Sequence, residues 1–242
     1  MQRTLVWDLP VRVFHGLLAG GFTAAALIAF LTDDEGASFP YHGIIGLVLA
    51  FMVVLRIVWG FIGTRHARFS ALLFRPQALI QYMWGVVTGR GKRFVGHNPG
   101  AAYAILAMLA LLLGLALTGV MMGRGNESVK DIHELMAWSM LVVVGAHLLG
   151  VLLHTLRHRE NITRTIIDGY ASADPSQGIR TARPFAALVL VALTGLWTIG
   201  LLRSYSAASR SADVPLLGSL QLGELETDGG HDRGDSRHDH DD

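Results

Sequence analysis

The chain of 242 residues contains no cysteine. That excludes disulfides, thiolate-ligated metal centres including iron–sulfur clusters, and covalent haem attachment through a C-x-x-C-H motif. Charge is scarce as well: 16% of residues are charged, against roughly 25% in an ordinary soluble domain. Between Gly36 and Asn126 there is no acidic residue at all. No small-residue cleavage site follows the first apolar run, which therefore reads as an uncleaved first helix, not as a removed leader. What fills the chain instead is apolar: 51% of residues are hydrophobic, with a mean hydropathy of +0.41.

Apolar runs of spanning length recur at Val13–Leu31, 44–62, Ala101–Met122, Leu135–Leu153 and Phe185–Leu202. A bilayer core needs roughly 20 such residues per helix, so five spans are expected. Their length and composition suit helices, which satisfy their own backbone hydrogen bonds in lipid, and not barrel strands. Between the second and third spans, PQALIQYMWGVVTG opens with Pro76 and keeps Leu79, Tyr82, Met83 and Val86 near one face. It reads as a short interfacial helix or as a plain surface loop. Pro184 opens the fifth span, which carries no histidine and reads as a packing or anchoring helix.

The net charge of +1 conceals an asymmetry: residues 1–204 hold 17 Lys and Arg against 10 Asp and Glu, and residues 205–242 hold 3 against 9. Positive charge gathers at Arg3 and Arg12, after the second span (Arg65, Arg68, Arg75, Arg90, Lys92, Arg93) and after the fourth (Arg157, Arg159, Arg164, Arg180, Arg183). The positive-inside rule puts these segments in the cytoplasm, the amino terminus inside and the carboxy terminus outside, in the periplasm of a bacterial inner membrane. The tail from Tyr205 ends DGGHDRGDSRHDHDD. Its composition predicts disorder. Its His and Asp residues admit transition-metal binding, and a solvated acidic arm without a metal site is the plainer reading.

Ionisable groups within spans are costly and mark function. Eight histidines precede the tail. His133 and His147 lie fourteen residues apart in one span, close to four helical turns, so both leave one face about 21 Å apart. Sorted by depth, His42 and His133 share the outer level, and His15 and His147 the inner one. A lone histidine in a span is commonly a hydrogen-bonded packing residue, but four that pair across three helices suit two bis-imidazole haem irons, as in other bundles with metal sites in the core. Gly43, Gly46, Gly145 and Gly150 lighten the surroundings of these positions. Arg12 and Arg56 suit haem propionates, with snorkelling to lipid phosphates the competing role for Arg56. His97, in GHNPG, reads as a propionate or quinone contact or as part of a helix cap. His154 is the one substitute for His147, and His66 and His158 read as solvated.

Several segments together resemble the bacterial cytochrome b561 and Ni/Fe-hydrogenase-type b cytochrome family. They are WDLPVRVFH at Trp7–His15, H-x3-G at His42–Gly46 running to R-x2-WGFIG at Arg56–Gly63, GHNPG at Gly96–Gly100, HE at His133–Glu134, and His147 followed by Asn161 and DGY. The resemblance covers roughly residues 1–170. It implies a four-helix transmembrane bundle with two b haems (protohaem IX) on His15, His42, His133 and His147, and electron exchange between quinone and a redox partner. Gly16 stands where such proteins often have Trp, which loosens packing over that site.

The expected architecture is thus an all-α membrane protein: a four-helix di-haem core (1–170), a connection and fifth span (171–204) and a disordered tail (205–242). The expected function is electron transfer between the quinone pool and a periplasmic redox protein such as a c-type cytochrome. Oxidation of a small molecule such as superoxide with quinone as acceptor, and service as the cytochrome subunit of a hydrogenase-like complex, are the alternatives. A colourless metal transporter is a third reading. Membrane lipid is an expected partner, a second copy in a homodimer is admitted, and nucleic acid is not expected.

Overall fold

The computed structural model describes residues 2–89, 94–158 and 161–224, the side chain of His158 excepted. Arg90, Lys92, Arg93 and Arg159, which entered the charge count above, lie outside the described residues, as does the solvation of His158.

Among the described residues, five helices are long and apolar enough to cross a membrane: α1 (Leu9–Leu31), α2 (Pro40–Ile62), α4 (Pro99–Gly123), α5 (Lys130–His158) and α7 (Pro184–Ser204). Four of the five apolar runs extend at their amino ends to a start signal. Asp8 caps α1 by accepting from the Val11 amide, Asn98 caps α4 by accepting from Ala101, and prolines occupy the first turn of α1, α2, α4 and α7, where the missing N–H costs nothing. PQALIQYMWGVVT forms the short helix α3 (Pro76–Thr88), closed by left-handed Gly89. Asn161 caps a further short helix, α6 (Ile162–Asp168).

Among the described residues, two small antiparallel sheets close the ends of the bundle. At the amino-terminal, basic end, β1 (Gln2–Leu5) pairs with β2 (Tyr170–Ala173). This seals a cluster of Val6, Trp7, Val11 and Ala67. At the opposite end, β3 (Ser211–Val214) and β4 (Gly218–Gln221) form a hairpin. Alternation turns Ala212, Val214, Leu220 and Leu222 inward, onto Ile44 and Leu47 of α2 and Leu201 of α7. Residues 205–224 are therefore ordered, contrary to the expectation of a disordered arm from Tyr205. The acidic composition of the whole tail masked an alternating apolar pattern in its first half. The His/Asp-rich remainder, and with it the metal-binding expectation, lies outside the described residues.

The helices pack unevenly. α1 lies along α2, and α4 lies closely along α5; α7 fits against α1 and α2. A Cβ at Gly114 of α4 would meet the Met136 sulfur at 2.6 Å, so these backbones approach closely. By contrast, α5 makes at most sparse backbone contact with α1 or α2. The gap between α5 and the α1–α2 pair is where the histidines face each other.

Candidate functional site

His42, on the first turn of α2, and His133, on the first turn of α5, meet across this gap. Their ring centroids are 6.3 Å apart and the planes inclined at 72°. Each ring is tied off through Nδ1. His42 Nδ1 lies 2.9 Å from the Ala25 carbonyl of α1; a carbonyl only accepts, so this nitrogen carries the proton. His133 Nδ1 lies 2.8 Å from Thr118 Oγ1, and the Thr118 hydroxyl proton goes to the carbonyl of Gly114 or Leu115. The Thr118 oxygen thus accepts from His133. Both rings then present an Nε2 lone pair, the arrangement that metal-bound histidines adopt when the other nitrogen donates to an acceptor. Two imidazoles on opposite sides of one metal ion, at bond lengths of about 2.0–2.1 Å, have centroids roughly 6 Å apart. A Cβ at Gly46, one turn from His42, would meet nothing within 4 Å, which leaves open space on the same face.

His15 of α1 and His147 of α5 lie within electrostatic reach of each other. Among the described residues neither ring makes a hydrogen bond. Arg56 lies fourteen residues beyond His42, as His147 does beyond His133, which sets it at the His147 level. Its side chain is 6% exposed, with Nη2 donating to the Ala67 carbonyl at 3.1 Å and the guanidinium over Phe69. It is buried inside the bundle end and does not snorkel outward. Arg12 donates to the Ile167 carbonyl. His97 packs edge-on against Trp7 at 4.7 Å and lies within electrostatic reach of Arg56, His66 and His147. Burial, then the nearby Arg56 charge, holds the His97 pKa down to about 3, so it is neutral.

Three nitrogens at this end are buried and make no hydrogen bond among the described residues: Arg12 Nε, Arg56 Nη1 and His97 Nδ1. Buried polar groups are ordinarily paired. Three orphaned nitrogens, two of them on arginines, fit an anionic group such as a haem propionate. Together with the tied-off histidines and the open gap, this donor set suits b-type haem.

Some residues behave differently from their sequence reading. His66 is buried, not solvated: Nε2 bonds to the Gln177 carbonyl at 2.8 Å, and burial lowers its pKa despite that bond. Gly96 makes this possible, since at φ +83° a Cβ there would sit 2.7 Å from His66 Nδ1. Asp8, 1% exposed, holds the end together by accepting from Trp59 Nε1 at 3.1 Å and Thr64 Oγ1 at 2.6 Å. Asp8 is not among the residues singled out from the sequence; an Asp just before an apolar run is a cap signal that could have found it, but nothing in the sequence points to its distant donors. Thr118 had no sequence signal at all.

Paired histidines inside spanning helices, with donors for an anion beside one pair, fit a membrane b-type cytochrome, a class that transfers electrons. The family model described as prokaryotic cytochrome b561 matches residues 6–169, and the chain belongs to that family. Similar proteins include the probable Ni/Fe-hydrogenase B-type cytochrome subunits of Rhizobium leguminosarum bv. viciae (26% identical, covering 69% of this chain and 88% of that one) and Cupriavidus necator (24%, 70% and 87%). The probable Ni/Fe-hydrogenase 1 B-type cytochrome subunit of Escherichia coli K12 is 22% identical, covering 69% and 90%. No solved structure matches the chain. The family match ends before α7 and the β3–β4 hairpin.

Proposed function

We propose that the chain carries electrons across a bacterial inner membrane, between the quinone pool and a periplasmic redox protein, through two b haems. His42 and His133 hold one near the outer face, and His15 and His147 hold the other towards the cytoplasm. The observation that carries this reading is the facing His42–His133 pair with both Nδ1 protons already committed. When bound, a bis-imidazole haem moves single electrons and leaves no coordination position open to substrate.

The chain's own residues supply orientation and charge. The Ala25 carbonyl and Thr118 hydroxyl fix the ring orientation of the outer pair. Arg12, Arg56 and His97 supply hydrogen-bond donors for carboxylates at the inner level, where quinol or quinone exchanges electrons. The β3–β4 hairpin covers the outer end of α2 and limits water access there. The basic segments set the amino terminus in the cytoplasm and the hairpin in the periplasm. The outer partner on this reading is a c-type cytochrome; the relatives' names favour a hydrogenase as a second reading, with electrons entering from outside and leaving to quinone.

The test is a pyridine haemochrome assay on purified protein with a haem-to-protein ratio. Two haems per chain are expected. His133→Ala should lose the outer haem alone, and His15→Ala the inner alone. Retention of both haems in either variant would remove that ligand from the assignment.

A further inference from the structure

At the basic end, where α2 stops and α7 starts, two clefts adjoin. The first, of about 280 Å³, is lined by Arg65, Arg68, Arg180 and Arg183 with no carboxylate among its lining residues. The second, of about 530 Å³, is walled by Trp59, Pro184 and Phe185. Ile62, Thr181 and Arg183 line both, so the charged space opens directly into the apolar one.

The arginines are only partly committed. Arg65 Nη1 donates to the Ser176 carbonyl at 3.1 Å, and Arg68 Nε to the Gly63 carbonyl at 2.8 Å. These bonds fix the two guanidinium groups and leave their remaining N–H groups available. The Arg180 and Arg183 side chains make no hydrogen bond or ion pair among the described residues. Arg183 also holds a left-handed backbone, φ 56°, which a non-glycine residue adopts at a cost. The apolar wall is fixed on one side, because Trp59 Nε1 is held by Asp8. On the other side Ile62 is 66% and Phe185 77% exposed, at the facing ends of the spanning helices α2 and α7.

We propose that this double cleft binds an anionic membrane lipid, its phosphate among the four arginines and an acyl chain along Trp59 and Phe185. Guanidinium groups pair with phosphate through two parallel N–H bonds, and basic pockets between spanning helices take anionic headgroups. A free phosphate shares the charged half of this chemistry but has no use for the apolar half. Residues 178–186 lie beyond the family match, so half of the site belongs to the segment added to the family core. The proposal is independent of how haem is held.

The experiment is native mass spectrometry of the full-length haem-loaded protein in detergent, titrated separately with dioctanoyl phosphatidylglycerol, dioctanoyl phosphatidylcholine and inorganic phosphate. A saturable phosphatidylglycerol adduct is expected, with little phosphatidylcholine or phosphate bound. Arg180→Gln with Arg183→Gln should weaken it by roughly 25-fold, about fivefold per arginine. The doubly substituted Arg→Lys protein, which keeps the charge and loses the two parallel N–H bonds, should bind more tightly than the Gln pair and more weakly than the unmodified protein. A control pair on the same basic side but outside the cleft, Arg75→Gln with Arg164→Gln, should bind as the unmodified protein does. Equal loss in the control pair, or no loss in the Arg180/Arg183 pair, would overturn the site. Phosphate binding as strong as that of the lipid would overturn the lipid assignment.

Discussion

Replacing Thr118 by Val tests the orientation of the outer histidine pair with almost no change of shape. Thr118 is 6% exposed, and its Oγ1 accepts from His133 Nδ1 at 2.8 Å. Valine keeps the branched volume and removes the acceptor. A buried donor left unpaired costs roughly 1–3 kcal/mol. Outer-shell partners of metal-bound histidines are worth about 10–100-fold in affinity, which is about 1.4–2.8 kcal/mol. The two routes agree. The first readout is the haem-to-protein ratio of protein purified in parallel with the unmodified chain, where partial loss confined to the His42–His133 site is expected. The second is a potentiometric titration. With haem bound there, a proton shared with Thr118 would make the imidazole more electron-rich and favour oxidised iron, so its loss should raise the midpoint potential of that site, by on the order of 60 mV for a tenfold change in relative affinity. Thr118→Ser restores the acceptor and should restore both readouts. Identical occupancy and potential in the Val protein, or a Ser protein no better than Val, would refute the argument that this hydroxyl sets the ligand's tautomer.

The acid response follows from His97. In the unfolded chain it titrates near 6.5, and in the folded one near 3. Between these values the unfolded state binds the extra proton. Its contribution is therefore complete above about pH 6.5 and is lost as pH falls towards 3, at up to about 1.4 kcal/mol per pH unit. His66 shifts in the same direction. Thermal melts in detergent between pH 7 and 4 should show this slope, and His97→Gln should flatten it; an unchanged slope would mean that His97 is protonated in the fold. At the other end, Leu220 is 1% exposed within the hairpin cluster, and Leu220→Ala should cost roughly 2–5 kcal/mol. Hydrogen exchange should then rise across residues 211–222, with haem content little altered. Exchange rates like those of the unmodified chain would show that the hairpin does not depend on this contact.

The spanning helices were readable in the sequence because lipid leaves little choice: a run of about 20 apolar residues must hydrogen-bond to itself, and proline or an Asp or Asn cap marks where four of the five start. The depth order of the histidines followed from the same cause, since a fixed rise per residue turns sequence separation into distance along the membrane normal. Tertiary structure alone decided which atoms meet across helices. The Ala25 carbonyl and the Thr118 hydroxyl orient His42 and His133 from helices packed beside them, and neither residue type is distinctive in a span. His66 was misread because its partner, Gln177, is 111 residues away. The hairpin was missed because an acidic average over 38 residues hid four apolar positions that acquire meaning only against α2 and α7. Local chemistry and the bilayer thus determined the helices and their levels, whereas long-range packing decided the protonation of the rings, the orphaned nitrogens and the closure of both ends, because those depend on neighbours that chain order does not name.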